Sequence, residues 1–198
     1  ADHNREESNL ITFVGGFHHA PNVDAALWLG LEIMPILRKI GANAFLEIVG
    51  NDPPAAVRAL ASSDIKVTGR VPDIMPYLER AAVVLAPVRL GGGMRVKVLQ
   101  AMAMGKAVVT TPLGAEGLAT VAGPPPLVIA ESAQEIAEAT SRLLTGAAAR
   151  WELGRQARAF VAEHHSWTAY RQRLEAIYDE LLAEHQPERS PNKTHATH

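Results

Sequence analysis

Short, continuous apolar runs alternate with longer stretches whose apolar positions recur every three or four residues, from residue 10 to about residue 144. The runs cover residues 10–14, 44–49, 65–67, 81–86, 107–109 and 127–129. Runs this short, interrupted only by Thr12, Glu47 and Lys66, predict strands covered on both faces, because a strand with one face in water alternates apolar and polar positions throughout. The longer stretches predict helices. One opens at Pro21-Asn22 and runs to about Lys39, with Ala26, Leu29, Ile33, Ile36 and Ile40 spaced for a single buried face. Others span residues 55–61 behind Pro53-Pro54 and residues 74–79 behind a capping Asp73. A further helix follows Gly91-Gly92-Gly93 and ends at Gly105, and another runs from a capping Ser132 to about Leu144. The last two cover residues 147–164 and 167–184. In the second of these, Trp167, Tyr170, Leu174, Ile177, Tyr178 and Leu181 recur at helical spacing, and that stripe is expected to leave apolar surface exposed. The rival expectation is that it packs wholly on its own sheet.

Strands alternating with helices, joined by right-handed crossovers, predict an α/β fold: a Rossmann-like doubly wound parallel sheet of about six strands with extra C-terminal helices. In such a sheet a ligand sits beyond the carboxyl ends of the strands, where chain order reverses. Gly15-Gly16, Arg70-Val71 and residues 91–97 should therefore share one edge. Residues 112–126, rich in glycine and proline, form a loop that can lie along a site's mouth. Residues 1–8 and 186–198 are polar and read as disordered ends around a single domain at residues 9–185.

Composition narrows the partners rather than the fold. With 47% hydrophobic and 20% charged positions, the 198 residues suffice for one globular domain. A formal net charge of −2 supplies no basic field for nucleic acid. The absence of cysteine removes disulfides, thiolate metal sites and a thiol nucleophile, and it fits a cytoplasmic location. No apolar stretch approaches the roughly 20 residues needed to span a bilayer, so no transmembrane segment is expected. The first residue is Ala1 rather than methionine, which suggests a piece of something longer.

The chemistry gathers between the runs at 81–86 and 107–109. Gly91, Gly92 and Gly93 permit backbone angles closed to other residues and let a ligand approach the main chain. A helix entered just behind them presents unpaired N–H groups and the positive end of its dipole, which suits an anion and above all phosphate. Arg95 and Lys97 add full charges in the first turns. The bland alternative is a tight turn beside a solvated face. Elsewhere, His18-His19 is a pair that suits phosphate or a metal, but no nearby carboxylate completes a metal set, and no metal is assigned. Asp52 and Glu116 lie in loops within reach of a sugar, and His164-His165 suits the end of a helix.

Taken in order, residues 13–16 (Phe-Val-Gly-Gly), 46–50 (Leu-Glu-Ile-Val-Gly), 67–73 (Val-Thr-Gly-Arg-Val-Pro-Asp) and 98–111 resemble the carboxyl-terminal domain of group 1, family-four type glycosyltransferases of the GT-B fold. His165-Ser166-Trp167 is similar to that family's terminal aromatic-Ser-Trp element. The likeness covers roughly residues 9–182. It implies a nucleotide-sugar-binding domain of a retaining enzyme of polysaccharide or glycolipid synthesis, which transfers a sugar to a hydroxyl acceptor. It implies no cofactor beyond the nucleoside diphosphate-sugar donor. It also implies a separate amino-terminal acceptor-binding domain as partner, through which the protein sits peripherally at an inner membrane.

By the same resemblance Gly15 and Gly16 lie near the donor phosphates, Arg70 and Val71 near the base, and Gly93, Met94 and Arg95 over the pyrophosphate, with Gly91 and Gly92 in the helix entry that would hold the leaving diphosphate. Arg95 and Lys97 are the candidates to stabilise the leaving diphosphate, and Gln100 is placed opposite the ribose hydroxyls; Glu116, a loop carboxylate, is a donor-site candidate from the residues alone. The family commonly carries two glutamates eight positions apart, where this chain has Gly92 and Gln100. The family's common Arg and Lys after the first strand are likewise absent from residues 17–22. A second reading, from a different class, is a non-catalytic scaffold or partner-binding module that keeps the fold.

Overall fold

The structure is a computed structural model that describes residues 5–92, 96–120 and 123–184. All six apolar runs are strands: β1 (Leu10–Val14), β2 (Phe45–Val49), β3 (Ile65–Gly69), β4 (Val83–Ala86), β5 (Ala107–Thr110) and β6 (Val128–Ile129). They pair in parallel in the order β3-β2-β1-β4-β5-β6. This is the Rossmann-like order, with the chain reversing direction across the sheet between β1 and β4. Strand centres such as Ile11, Leu46, Ile48, Val83 and Val108 are buried, as continuous apolar runs require when helices cover both faces.

The long first helix departs from expectation in its middle. It comprises α1 (Ala20–Trp28), a π-helical turn (Leu29–Ile33) and α2 (Met34–Lys39). Pro35 has no N–H to give the carbonyl of Leu31, and its ring would strike that carbonyl, so the turn widens and Met34 N–H bonds Leu29 O instead. The added residue moves the buried stripe on by one position. Ala26, Leu29 and Ile33 are buried as expected, but beyond them the buried positions are Met34 and Leu37, while Ile36 is only partly covered and Ile40 is exposed.

Two shorter helices also differ slightly. The helix expected at 55–61 is α3 (Ala55–Arg58), and that expected at 74–79 is α4 (Met75–Arg80). Asp73 still serves it, accepting the Met75 N–H at 2.9 Å, but from two residues away rather than from the cap itself. The remaining helices are α5 (Val96–Ala103), α6 (Pro112–Ala115), α7 (Ala133–Thr145), α8 (Ala147–His164) and α9 (Trp167–Glu184). Ser132 caps α7 in a full capping box with Glu135.

Within the stretch expected to be disordered, Glu6 and Glu7 make contacts with the body of the domain. Glu6 is buried between α8 and β5: it accepts from Arg150 Nε at 2.8 Å and Nη2 at 2.7 Å, with Lys106 Nζ at 3.6 Å. Arg150 also donates to the carbonyls of Leu143 (2.7 Å) and Leu144 (3.1 Å), which closes the end of α7. Glu7 pairs with Arg80, whose other arm reaches the buried Glu47 on β2 at 2.8 Å. A buried carboxylate needs such partners, and the partners lie far away in sequence, so the polar stretch is bound rather than free. Residues 1–4 and the tail 186–198 lie outside the described residues.

The last helix stands off the body. Trp167, Tyr170, Leu174, Ile177, Tyr178 and Leu181 are all exposed, from 38% for Leu174 to 86% for Trp167. The expected exposed stripe is present, and packing on the chain's own sheet is ruled out. Among the described residues no helix is long and apolar enough to cross a membrane.

Candidate functional site

A cavity of about 350 Å³ opens at the switch point between β1 and β4. Its walls are the strand ends Phe13, Val14 and Ala86, the first turn of α1 with His19, Pro21 and Asn22, and the turn Leu90-Gly91-Gly92. Val96, Lys97 and Val98 of α5 complete it. The sequence builds each wall for a local reason. Gly91 takes φ +85°, a conformation that side chains disfavour, and a Cβ there would lie 3.0 Å from Pro21 Cγ, so this glycine lets the turn abut α1. Behind the first wall Gly50 packs directly on the Gly15 carbonyl, where a Cβ would fall 1.7 Å from the oxygen. Asn22 Nδ2 donates to Gly16 O at 2.7 Å and holds the β1–α1 turn closed. Below the glycine turn, the hydroxyls of Thr110 (2.7 Å) and Thr111 donate to the carbonyls of Ala86 and Val88.

The field in the cavity is positive. The N-terminal end of α1 opens on it with no side-chain cap and no acidic residue in the first turn, and the first described turn of α5 faces it as well. Lys97 is half-buried and has no hydrogen-bonding or ionic partner among the described residues, and burial pushes its ammonium below the usual lysine range. No carboxylate appears among the described residues of the wall. Two helix ends, a glycine turn and an unpaired cation are complementary to a compact anion such as a diphosphate.

Of the residues singled out from sequence, Gly91, Gly92 and Lys97 line this cavity. Gln100 lines a narrow adjoining cleft together with Lys97, Val14 and Ala86, so it neighbours the cavity without entering it. Gly15 and Gly16 form the turn behind the first wall. Arg70 and Val71 follow β3, and Glu116 ends α6; none of these three is among the cavity's lining residues. Gly93, Met94 and Arg95 lie outside the described residues. His19 lines the wall, while His18 stacks beside it with ring centres 3.9 Å apart. No group of three metal-ligating side chains occurs among the described residues.

The sequence reading missed Arg89 and Asp24. Arg89 grips the Asp24 carboxylate with two hydrogen bonds (3.0 and 2.7 Å) and lies 4.3 Å from the ring centre of Trp28. The one available signal was an arginine immediately before the glycine turn, and nothing local tied it to an aspartate 65 positions earlier.

Comparison with solved structures returns the same architecture. The chain is similar to a glycosyltransferase from Rickettsia africae, with a TM-score of 0.69 at 14% identity over 91% of this chain and 48% of that one. It resembles the C-terminal domain of the group 1 protein LpcC from Francisella tularensis (TM-score 0.61, 18% identity, 83% of this chain, 90% of that one). It also resembles HepE from Anabaena, solved with UDP and glucose (TM-score 0.65, 17% identity, 86% of this chain, 48% of that one). The chain thus spans about half the length of the Rickettsia and Anabaena proteins, and at these identities the likeness concerns the fold. No curated protein matches the chain. The profile described as "Glycosyl transferases group 1" matches residues 8–146, more than half of the sequence and every strand of the sheet. With the sheet order and the cavity at its switch point in agreement with that match, the chain belongs to the group 1 glycosyl transferases.

Proposed function

We propose that this domain binds the nucleoside diphosphate-sugar donor of a retaining glycosyltransferase that acts in polysaccharide or glycolipid synthesis. The observation that carries the reading is the positive cavity at the β1–β4 switch point, with the Gly91-Gly92 turn on its walls and Lys97, which has no partner among the described residues. In the reaction, the bond from the anomeric carbon to the donor's phosphate oxygen breaks, the acceptor hydroxyl oxygen bonds to that carbon, and the hydroxyl proton passes to the departing diphosphate or to solvent. The diphosphate leaves with the negative charge. Lys97 and the helix ends stabilise that charge where it develops, and Arg95 is proposed for the same role. The base is read as lying toward Arg70 and Val71, with Gln100 toward the ribose and Glu116 toward the sugar. The solved HepE complex with UDP and glucose supports a donor of this class by likeness of fold.

The acceptor is proposed to sit on a second, amino-terminal domain. Support comes from the exposed stripe on α9, which offers a face for an interface of roughly 600–1,500 Å² of the kind that joins domains. This chain alone is therefore expected to transfer no sugar, since a domain that supplies only donor contacts cannot position an acceptor within reacting distance. A non-catalytic scaffold is the second reading, favoured by Gly92 and Gln100 where the family's two glutamates stand.

Calorimetric titration with UDP, GDP and ADP separates the two readings. Donor binding predicts saturable binding of at least one diphosphate and much weaker binding of the matching nucleoside. Binding of none of the three overturns the donor reading and leaves the scaffold.

A further inference from the structure

The cavity has two walls that belong to different parts of the chain. One is the first turn of α1, and the other is the loop from the end of β4 to Gly92. The strand pairing between β1 and β4 covers Ile11–Val83 and Thr12–Val84 and ends before the wall residues Phe13, Val14 and Ala86, so ladder pairing does not extend along the walls themselves. The loop is held at its root by the Thr110 and Thr111 hydroxyls. Beyond Val88, Arg89 ties the loop to α1 through its two hydrogen bonds to Asp24 and its contact with the Trp28 ring. Asp24 lies one turn into α1 from His19 and Pro21, and Arg89 stands two residues before Gly91, the residue that abuts Pro21.

We infer that Arg89 and Asp24 are a positioning pair: a clamp that sets the gap between the α1 terminus and the glycine turn, and hence the affinity for the donor's diphosphate. The inference rests on the reading of this cavity as a diphosphate site. A planar guanidinium held by both carboxylate oxygens and by an aromatic face has one orientation, which a lysine or a single hydrogen bond would not impose. Neither residue touches the cavity, so neither contacts the ligand itself.

The sign of the two single substitutions makes the clamp testable. A field effect predicts opposite outcomes: loss of the Arg89 charge weakens binding of an anion, and loss of the Asp24 charge strengthens it. A clamp predicts that Arg89→Gln and Asp24→Asn both weaken binding, by about tenfold on the scale seen when partners that orient metal ligands are removed. Asp24→Glu, which keeps the carboxylate, is expected to recover part of the loss. The experiment is calorimetry with UDP and with inorganic pyrophosphate on the parent and the three variants, well below their melting temperatures, with circular dichroism to show that each is folded. Weakening in both Arg89→Gln and Asp24→Asn, with partial recovery in Asp24→Glu, is the expected result. If the parent binds and Asp24→Asn binds as well as or better than it, the clamp is overturned and the donor reading stands. If the parent binds neither probe, the donor reading itself fails and the clamp falls with it.

Discussion

Glu6→Ala is expected to destabilise the domain far more than replacing an acidic residue in a polar stretch usually does. The Glu6 carboxylate is 5% exposed and is the counterion of two buried cations, Arg150 at 3% and Lys106 at 4%. It also accepts from Trp151 Nε1 at 3.1 Å. Its removal leaves Arg150 with the Leu143 and Leu144 carbonyls and Lys106 with the carbonyls of Glu79 (2.6 Å) and Ala81 (3.0 Å), but both charges lose their compensation. Breaking a buried pair by deleting one partner costs about 3–5 kcal/mol. For a domain of this size each kcal/mol lowers Tm by about 2–4 °C, so the expected drop is about 6–20 °C. Glu6→Gln retains an acceptor without the charge and should fall between the parent and the alanine variant. Thermal unfolding followed by circular dichroism, with urea unfolding as a second measure, reads the effect. A drop below about 2 °C for Glu6→Ala refutes the reasoning, because it would mean that the N-terminal segment is not bound to α8 in solution.

Gly154→Ala should cost about 1–3 kcal/mol or more, since its Cβ would stand 2.0 Å from the Gly105 carbonyl oxygen on the turn before β5. An unchanged melting temperature would show that α8 is not seated there. Gln100→Glu should tighten UDP binding by up to about tenfold, because a carboxylate accepts more strongly than an amide, less the repulsion from the phosphates. Equal affinities for the parent, Gln100→Glu and Gln100→Ala would mean that Gln100 does not face the nucleotide. Diphosphate affinity should fall as pH rises through the Lys97 pKa, which burial holds below 10.5. Only the ammonium form attracts the anion, and the bound anion in turn raises that pKa, so binding takes up a proton on the alkaline side. Lys97→Gln should lower affinity at neutral pH and flatten that alkaline fall; an identical pH profile in the variant would exclude Lys97 from the site.

Much of the fold was legible because it depends on local pattern. Runs such as residues 10–14 and 107–109 are too apolar to face water, so a two-sided sheet followed, and Gly91 marked its own turn by needing a positive φ. The π-helical turn was hidden because helical periodicity takes 3.6 residues per turn as given, while Pro35 forces one wider turn and so moves the buried position from Ile36 to Leu37. Glu6 and the Arg89–Asp24 pair were hidden for a different reason. A charged residue in a polar stretch carries no sign of its partner, and these partners stand 144 and 65 positions away. Of the residues that line the cavity, Gly91, Gly92 and Lys97 share one short segment that the sequence singled out, whereas the Arg89–Asp24 pair beside them became visible only with the fold.

The central claim is that the diphosphate lies between the first turn of α1 and the glycine turn. A crystal structure of this domain soaked with UDP tests it most directly. The account predicts density for the diphosphate in the cavity at the β1–β4 switch point, with a phosphate oxygen within about 3 Å of Lys97 Nζ and of backbone N–H groups near His19 and Gly92. Well-ordered UDP bound elsewhere, with this cavity holding only water, would contradict it.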